Sequence, residues 1–310
     1  MEDPLSDVLR LIRVQGCVYF ARDFWSPWGM HMDSGPFAQF HAIVRGDCVV
    51  EAEGARYLGR AGDIFLFPRG QGHALCDRPG RGTVAGVEYL RSLAEGKPRF
   101  ADGEKPTQLV CGHFAYRNDI RHPAIEQLPE VIHIKSFDIL SPGAVDSVLP
   151  LLVREMARSG PGAVSVVERL AEVLLVQILR VYFAGRADRH GFVASLSDPR
   201  VARAISTIHA GCGQRVTLDE LARVAGMSRS AFAQHFKDLV GLAPIEYLVK
   251  WRMCRASEML RTENLALDQV AEKVGYESAV SFSRAFKREF DISPGEYRHR
   301  SGPPAAGPTP

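Results

Sequence analysis

Arg284 is the side chain in this sequence best suited to reading a base. It lies between Phe282 and Phe286 in the run Ser278-Ala-Val-Ser-Phe-Ser-Arg-Ala-Phe-Lys-Arg-Glu-Phe290. A helix turns about 100° per residue, so phenylalanines at these positions define a buried side and Arg284 projects from the opposite one. With Ala279, Val280 and Ser281 it occupies the exposed N-terminal half of a helix that Ser278 opens. A guanidinium there matches the O6 and N7 acceptors of guanine in the DNA major groove. A second segment, from Ser228 to Leu239, places Arg229, Ser230, Ala233 and Gln234 on the matching face, and a glutamine amide pairs well with adenine. Lys237, Lys250, Arg252, Lys287 and Arg288 are candidate contacts to phosphate, which position a protein on the duplex without reading sequence.

The elements that must hold these side chains are one pattern written twice. The landmarks Leu221-Ala222, Ala225-Gly226, Phe232, Phe236-Lys237, Gly241, Pro244 and Glu246-Tyr247 recur as Val270-Ala271, Val274-Gly275, Phe282, Phe286-Lys287, Asp291, Pro294 and Glu296-Tyr297. The offset is 49 residues in the first part and 50 in the second. The extra residue falls in a turn. Each copy reads as a short helix, a Gly-containing turn and a second helix. Thr217-x-x-Glu220 is a capping box, and Gly226 suits the left-handed end of the first helix. Phe232, Phe236 and Leu239 form the predicted buried face of the first recognition helix, Ser228–Leu239, and Phe282, Phe286 and Phe290 that of the second, Ser278–Phe290. A long helix from Pro244 to about Leu260 joins them, which suits entry into successive major grooves about 34 Å apart.

Two helix-turn-helix units with matching Gly, Phe and Pro-x-Glu-Tyr landmarks resemble the DNA-binding domain of the AraC/XylS family of bacterial transcription regulators. The resemblance covers about Pro199 to Arg300 and is densest over Val270–Tyr297. It implies a double-stranded DNA operator and RNA polymerase as partners, and a regulator such as an activator, with the sequence leaving activation or repression open. Bulk charge plays little part. The formal net charge is +2, and the region Asp198–Arg300 carries sixteen Lys and Arg against thirteen Asp and Glu. DNA binding therefore depends on local placement of basic residues.

At 310 residues the chain can hold two cores. The apolar run Ala171–Tyr182 is interrupted by Glu172, Gln177 and Arg180, so no membrane span is expected. The acidic start MEDPLSDVLR lacks a signal-peptide core. Six scattered cysteines without a CxxC pair suit a reducing cytoplasm.

Asp3 to Val14 predicts a short amphipathic helix. Short β-rich runs follow: Gly16–Phe20, Ala38–Val44, Asp47–Glu51, Ala55–Leu58, Asp63–Phe67 and Thr83–Tyr89. Arg91–Gln108 reads as an exposed loop, Leu109–Phe114 as a strand closing a barrel, and Val131–Ile134 as a further extended piece. Such spacing predicts a sandwich or small barrel. Within it, Gly62, Pro68-x-Gly70 and His73 fit the second motif of the cupin barrel. The stretch Trp25–Asp77 resembles the cupin-type sensor domains found ahead of AraC-type domains.

That resemblance implies a small-molecule pocket at the barrel mouth, lined by His41, Phe65 and His73. It also raises a metal site, since cupins often bind metal through a His-x-His pair, a Glu and a later His. Here His73 is present and His41 supplies one more ligand. Ile43 occupies the second His position, and no Glu stands at the expected spacing. Two imidazoles make a poor site, and His31 or Cys76 would have to complete it. The expectation is no cofactor. Sensor domains of this type include relatives that respond to oxidants such as hypochlorous acid. Cys17 and Cys111 hold places similar to their reactive cysteines; nothing basic flanks Cys17 closely enough in sequence to predict a lowered pKa, and Arg22 and His113 are the candidates for that role.

From Val145 the period is helical: one helix stopped by Ser159-Gly-Pro-Gly162, then Val164–Phe183 with a wide apolar arc suited to burial or to a dimer interface. The expected architecture is multi-domain α and β. A cupin-like β-barrel with flanking helices (1–140) precedes a helical dimerisation and linker region (141–190). An all-α double helix-turn-helix domain (196–300) and a disordered tail (301–310) follow. The expected function is a cytoplasmic, homodimeric, non-enzymatic transcription regulator controlled by a small molecule or oxidant. The rival readings are a metal-dependent cupin enzyme fused to a DNA-binding domain, and an effector-independent DNA binder.

Overall fold

The computed structural model describes residues 4–116, 122–136, 145–158, 160–185 and 192–300. The expected tail after residue 300 and residues 141–144, 159 and 186–190 of the expected dimerisation and linker region lie outside these. The first part runs α1 (Pro4–Ile12), β1 (Gln15–Trp25), β2 (Gly29–Met32), β3 (Ala38–Arg45), β4 (Asp47–Ala52), β5 (Ala55–Arg60), β6 (Ile64–Phe67), β7 (His73–Cys76), β8 (Val84–Ala85), α2 (Gly86–Ala94), β9 (Pro106–Ala115), α3 (Pro123–Glu126) and β10 (Ile132–Ile134). Helices follow: α4 (Val145–Arg158), α5 (Ala163–Ala184), α6 (Phe192–Ser197), α7 (Pro199–Ala210), α8 (Leu218–Ala225), α9 (Arg229–Val240), α10 (Pro244–Thr262), α11 (Leu267–Lys273), α12 (Ala279–Phe290) and α13 (Pro294–Arg300).

Contacts divide the chain into two compact units, a β unit (residues 14–116 and 128–185) and a helical unit that takes the rest. The β unit is two five-stranded sheets in the orders β1-β9-β3-β6-β10 and β5-β4-β7-β2-β8, rather than one closed barrel. Phe24, Phe65, Phe67 and Leu109 of the first sheet share one core with Met30, Val50 and Leu75 of the second. The second face of the first sheet is covered too, because α5 packs on β1, β9 and β10. That double cover explains why β6 is buried at every position instead of alternating. At Gly16 a side chain would collide with Ala171 of α5, so glycine permits this close approach.

Two strands escape the sequence reading, and one predicted strand is mostly helix. β2 and β7 pair antiparallel, yet each is only four residues long and bordered by Gly, Pro and polar residues. Of Thr83–Tyr89, only Val84–Ala85 pairs with β2, and the chain then enters α2. Tyr89, Leu90 and Leu93 of that helix pack on the core, a spacing of one and three to four residues that suits a helix and not a strand. α2 and the start of β9 also take the two ends of the expected Arg91–Gln108 loop, leaving residues 95–105 irregular.

In the helical unit the repeat folds as two helix-turn-helix motifs. Gly226 and Gly275 end the first helix of each copy with φ of 67° and 79°. The second helices are closed by Gly241 (φ 86°) and Asp291 (φ 65°). Aspartate is one of the few residues that tolerates this left-handed position, so the Gly-to-Asp departure in the second copy keeps the turn. Ser228 and Ser278 cap α9 and α12 by accepting from Ala231 N and Ser281 N. The Thr217 hydroxyl likewise accepts from Glu220 N at 3.2 Å. Phe232 and Phe236 are fully buried with Val240; Leu239, the expected third member, is half-buried. Phe282 and Phe286 are fully buried in the core of the second copy, with Phe290 packed at its edge.

α1 belongs to the helical unit, not to the β unit that follows it in sequence. It packs on α7 and α10. The Asp7 carboxylate meets His209 Nδ1 at 3.0 Å, His209 Nε2 meets the Tyr247 hydroxyl at 2.7 Å, and that hydroxyl meets His122 Nε2 at 3.1 Å. The segment 122–127 sits in the same unit: Gln127 Nε2 donates to Val240 O at the end of α9, and its Oε1 accepts from Phe192 N.

Candidate nucleic-acid interface and effector cavity

The outer sides of α9 and α12 carry the residues expected to meet DNA. Ser228, Arg229, Ser230, Gln234 and Lys237 are exposed and Ala233 is half-buried. On α12, Ser278, Val280, Ser281, Arg284, Lys287 and Arg288 are exposed and Ala279 is half-buried. Burying Phe282, Ala285 and Phe286 leaves Arg284 on the solvent side. No other described side chain holds its guanidinium by a hydrogen bond or ion pair. Arg229 is only loosely held, with Nε 3.7 Å from an exposed Asp219 carboxylate, a pair of little strength in water. Gln234 Nε2 donates to Asp238 at 2.7 Å, which orients its amide without burying it. Val280 is 63% exposed, an apolar side chain facing outward at the start of the helix. Such a group suits contact with a thymine methyl.

Two of the five proposed phosphate contacts are engaged within the protein. Lys250 Nζ lies 3.0 Å from Glu126 and 3.4 Å from Glu289. Arg252 donates from Nε to Cys212 O at 2.9 Å and from Nη2 to Gln214 O at 2.6 Å, tying α10 to the turn before α8. Its guanidinium also lies over the Tyr276 ring. These two cations brace the fold, whereas Lys237, Lys287 and Arg288 face solvent.

In the β unit, His41 and His73 come together. Their Nε2 atoms are 2.7 Å apart, His41 Nδ1 lies 2.9 Å from Cys111 Sγ, and His73 Nδ1 lies 2.7 Å from Gln71 O. One assignment of protons satisfies the whole chain. The Gln71 carbonyl only accepts, so His73 carries its proton on Nδ1 and accepts at Nε2. His41 then donates from Nε2 and accepts at Nδ1, which leaves Cys111 as the thiol donor. Every member is neutral. Burial supports this: it draws His73 down to about 4, against the raising effect of the Gln71 bond. Burial, with His73 adding to it, pushes His41 well below the ordinary value. Burial also lifts the Cys111 thiol well above its ordinary value.

This arrangement does not fit a metal. The two Nε2 atoms that would coordinate an ion are bonded to each other. His31 Nδ1 is taken by the Thr83 hydroxyl at 3.0 Å, and the Cys76 thiol lies by Val49 O. No cluster of three His, Cys, Asp or Glu suited to a metal occurs among the described residues.

His41 and Cys111 form part of the wall of a cavity of about 260 Å³. Tyr19, Phe20, Met30, Met32, Val87 and Leu90 contribute its apolar surface; Asp33, Ser34, Gln39 and Gly86 complete the lining. Of the three residues expected to line a pocket, His41 lies here, His73 lines a separate shallow depression with His31 and Glu51, and Phe65 lines neither. Phe65 is fully buried and stacked on His133, with centroids 4.1 Å apart. The lining from β2 and α2 escaped the sequence reading because those elements did.

Cys17 and Cys111 are not opposed. Cys17 faces His113 across β1 and β9, and Cys111 faces Phe20. Both are free thiols. Cys17 is exposed and Cys111 buried; partial desolvation at its strand raises the Cys17 thiol above its ordinary value, with the Glu168 carboxylate adding to it.

Comparison with known proteins places both units. A family described as Cupin matches residues 3–184, and one described as Helix-turn-helix domain matches residues 221–300. An AraC-like transcription regulator of Streptomyces lividans is 31% identical over 96% of this chain and 98% of its own. The RCS-specific HTH-type transcriptional activator RclR of Escherichia coli K12 is 28% identical over 96% of this chain and 98% of its own. Among solved structures, the DNA-binding domain of AdpA in complex with a target DNA is 32% identical, covering 34% of this chain and 93% of that one, with a TM-score of 0.32.

Proposed function

Since the chain belongs to the AraC-like, DNA-binding transcription regulators, we propose that it reads a bipartite operator with α9 and α12 under the control of a small molecule bound in the β unit. The observation that carries the DNA reading is the pair of exposed, polar helix faces repeated on one helical unit, with Arg284 held by no other described side chain. Arg284 is assigned to a guanine, Gln234 to an adenine, and Lys237, Lys287 and Arg288 to phosphates. Selection of binding sites from random duplexes with the full chain tests this. The expected consensus has two short blocks about one helical turn apart. A single block, or no consensus, would refute the bipartite reading.

The cavity at His41 and Cys111 supports a binding role for the β unit rather than catalysis, since its polar groups are satisfied and its donor set does not suit a metal. An oxidant signal at Cys17 and Cys111 is the weaker reading: thiolates react with oxidants, the Cys111 thiol is buried and raised well above its ordinary value, and the Cys17 thiol, though exposed, is raised as well. Val166, Leu170 and Val173 form an outward stripe on α5, with Val166 and Val173 exposed. The stripe supports a homodimer through this helix. No helix among the described residues is long and apolar enough to cross a membrane. The proposed place of action is the cytoplasm, on DNA, with RNA polymerase as the recipient of the signal.

A further inference from the structure

The two ends of the cavity differ in chemistry. Its inner end is formed by buried Phe20, Met30, His41 and Cys111, and its mouth by exposed Asp33 and Ser34. His41 and Cys111 give the inner end polar atoms, yet none of these is unmet. Cys111 donates to His41, His41 donates to His73, and His73 donates to Gln71 O. The buried polar side-chain atoms without partners among the described residues belong to Trp28, His113, Trp251 and Arg298, none of which lines the cavity. A ligand group that reaches His41 and Cys111 therefore meets side-chain polar atoms that are already paired with one another, and a polar group placed against them loses its water with little return. An apolar group gains instead, against aromatic and thioether side chains.

The mouth is the reverse. Ser34 Oγ already accepts from Gly72 N and the Gln39 amide donates to Asp33 O, while no described side chain pairs with the Asp33 carboxylate. No Lys or Arg lines the cavity at any depth. A carboxylate, sulfate or phosphate headgroup would sit beside a like charge with no cation to answer it. A hydroxyl or amide donor would find an acceptor.

We propose that this cavity takes an uncharged amphiphile whose apolar end lies against Phe20, Met30 and Cys111 and whose hydrogen-bond-donating head lies at Asp33. At interior packing density, 260 Å³ holds roughly ten methylene-sized groups. The inference rests on the reading of this cavity as the effector site and names the chemical class of the effector.

A matched pair of probes tests it on the full-length chain. 1-Decanol and decanoate share an alkyl tail and differ in head charge. Calorimetry below their aggregation limits should show 1-decanol binding about fivefold or more tightly than decanoate, one equivalent per chain, since like charges about 5 Å apart in water cost close to that factor. Asp33→Lys, at an exposed position, should reverse the preference. Leu90→Trp should block both probes, with thermal unfolding run alongside to establish that the variant is folded. Equal or tighter binding of decanoate to the wild type, no binding of 1-decanol, or an unchanged preference in Asp33→Lys would overturn the proposal. Full binding by a folded Leu90→Trp variant would overturn the location. Selective, Asp33-dependent binding of 1-decanol with no change in operator affinity upholds the ligand class and strikes only the regulatory reading on which it rests.

Discussion

Acidification from pH 7 to pH 5 should destabilise the β unit, and His73 contributes a separable part of that loss. An imidazole in an unfolded chain titrates near 6.5, whereas His73 in the folded unit is drawn down to about 4. Between these values the unfolded state binds a proton that the folded state refuses, so stability falls as pH falls. The contribution is fully present above about 6.5. It drops by about 2 kcal/mol at pH 5 and by about 3 kcal/mol at pH 4. His41 and His113 are shifted the same way by burial and steepen the loss. Asp77, held low by Arg81 against its own burial, loses its stabilisation only below the ordinary carboxylate range, outside this window. The measurement is urea unfolding at pH 7 and pH 5 in a Trp251→Phe background. The remaining tryptophans, Trp25 and Trp28, then report on the β unit alone. His73→Gln keeps an acceptor for His41 Nε2–H and removes the titrating group. It should reduce the fall between the two pH values by about 2 kcal/mol. An equal fall in both proteins would refute the all-neutral hydrogen-bond chain.

Arg284→Ala should cost about 1–3 kcal/mol on the operator and relax preference at one base pair; a uniform loss across single-base operator variants, with a salt slope lower by about 1, would make Arg284 a phosphate contact instead. Arg252→Ala should lower stability by about 1 kcal/mol, mainly through the part-buried Cys212 carbonyl, since the Gln214 carbonyl is exposed to water, and a drop in the salt slope of DNA binding would contradict that bracing role. The double variant Cys17→Ser, Cys111→Ser should keep its DNA binding under hypochlorite equal to that of the wild type; an oxidant response present in the wild type and lost in the double variant would put sensing at these thiols.

The helical reader is legible in the sequence because its constraints are local and stated twice. Gly226 and Gly275 stand where a left-handed residue is needed, and the Phe pairs set the buried side that leaves Arg284 out. The cavity is not legible in the same way. Its wall comes from β1, β2, β3, α2 and β9, and nothing near Met30 or Leu90 in sequence announces that they share it. Short strands such as His73–Cys76 gain their order from two partners, β2 and β4, rather than from their own pattern. That Lys250 is engaged within the protein was not legible either, because charge is visible in a sequence and its partner is not: Glu126 lies 124 residues away.

The chain Asp7–His209–Tyr247–His122 bears on how such a reader can be exchanged between proteins. Tyr247 is a landmark of the repeat, yet its hydroxyl is met by His209, itself held by Asp7 of α1, and by His122, just before α3. A fragment cut at about Pro199, where the resemblance to the family's DNA-binding domain begins, would carry Tyr247 and His209 with two of their partners, Asp7 and His122, missing, and leaving buried polar groups unmet costs about 1–3 kcal/mol each. The backbone passes from one unit to the other four times. Grafting this reader onto another sensor is therefore less like changing a cassette than like splicing a rope at several strands. A working chimera would have to bring α1 and the 122–127 segment with it, or replace His209 and Tyr247 with a pair that needs neither.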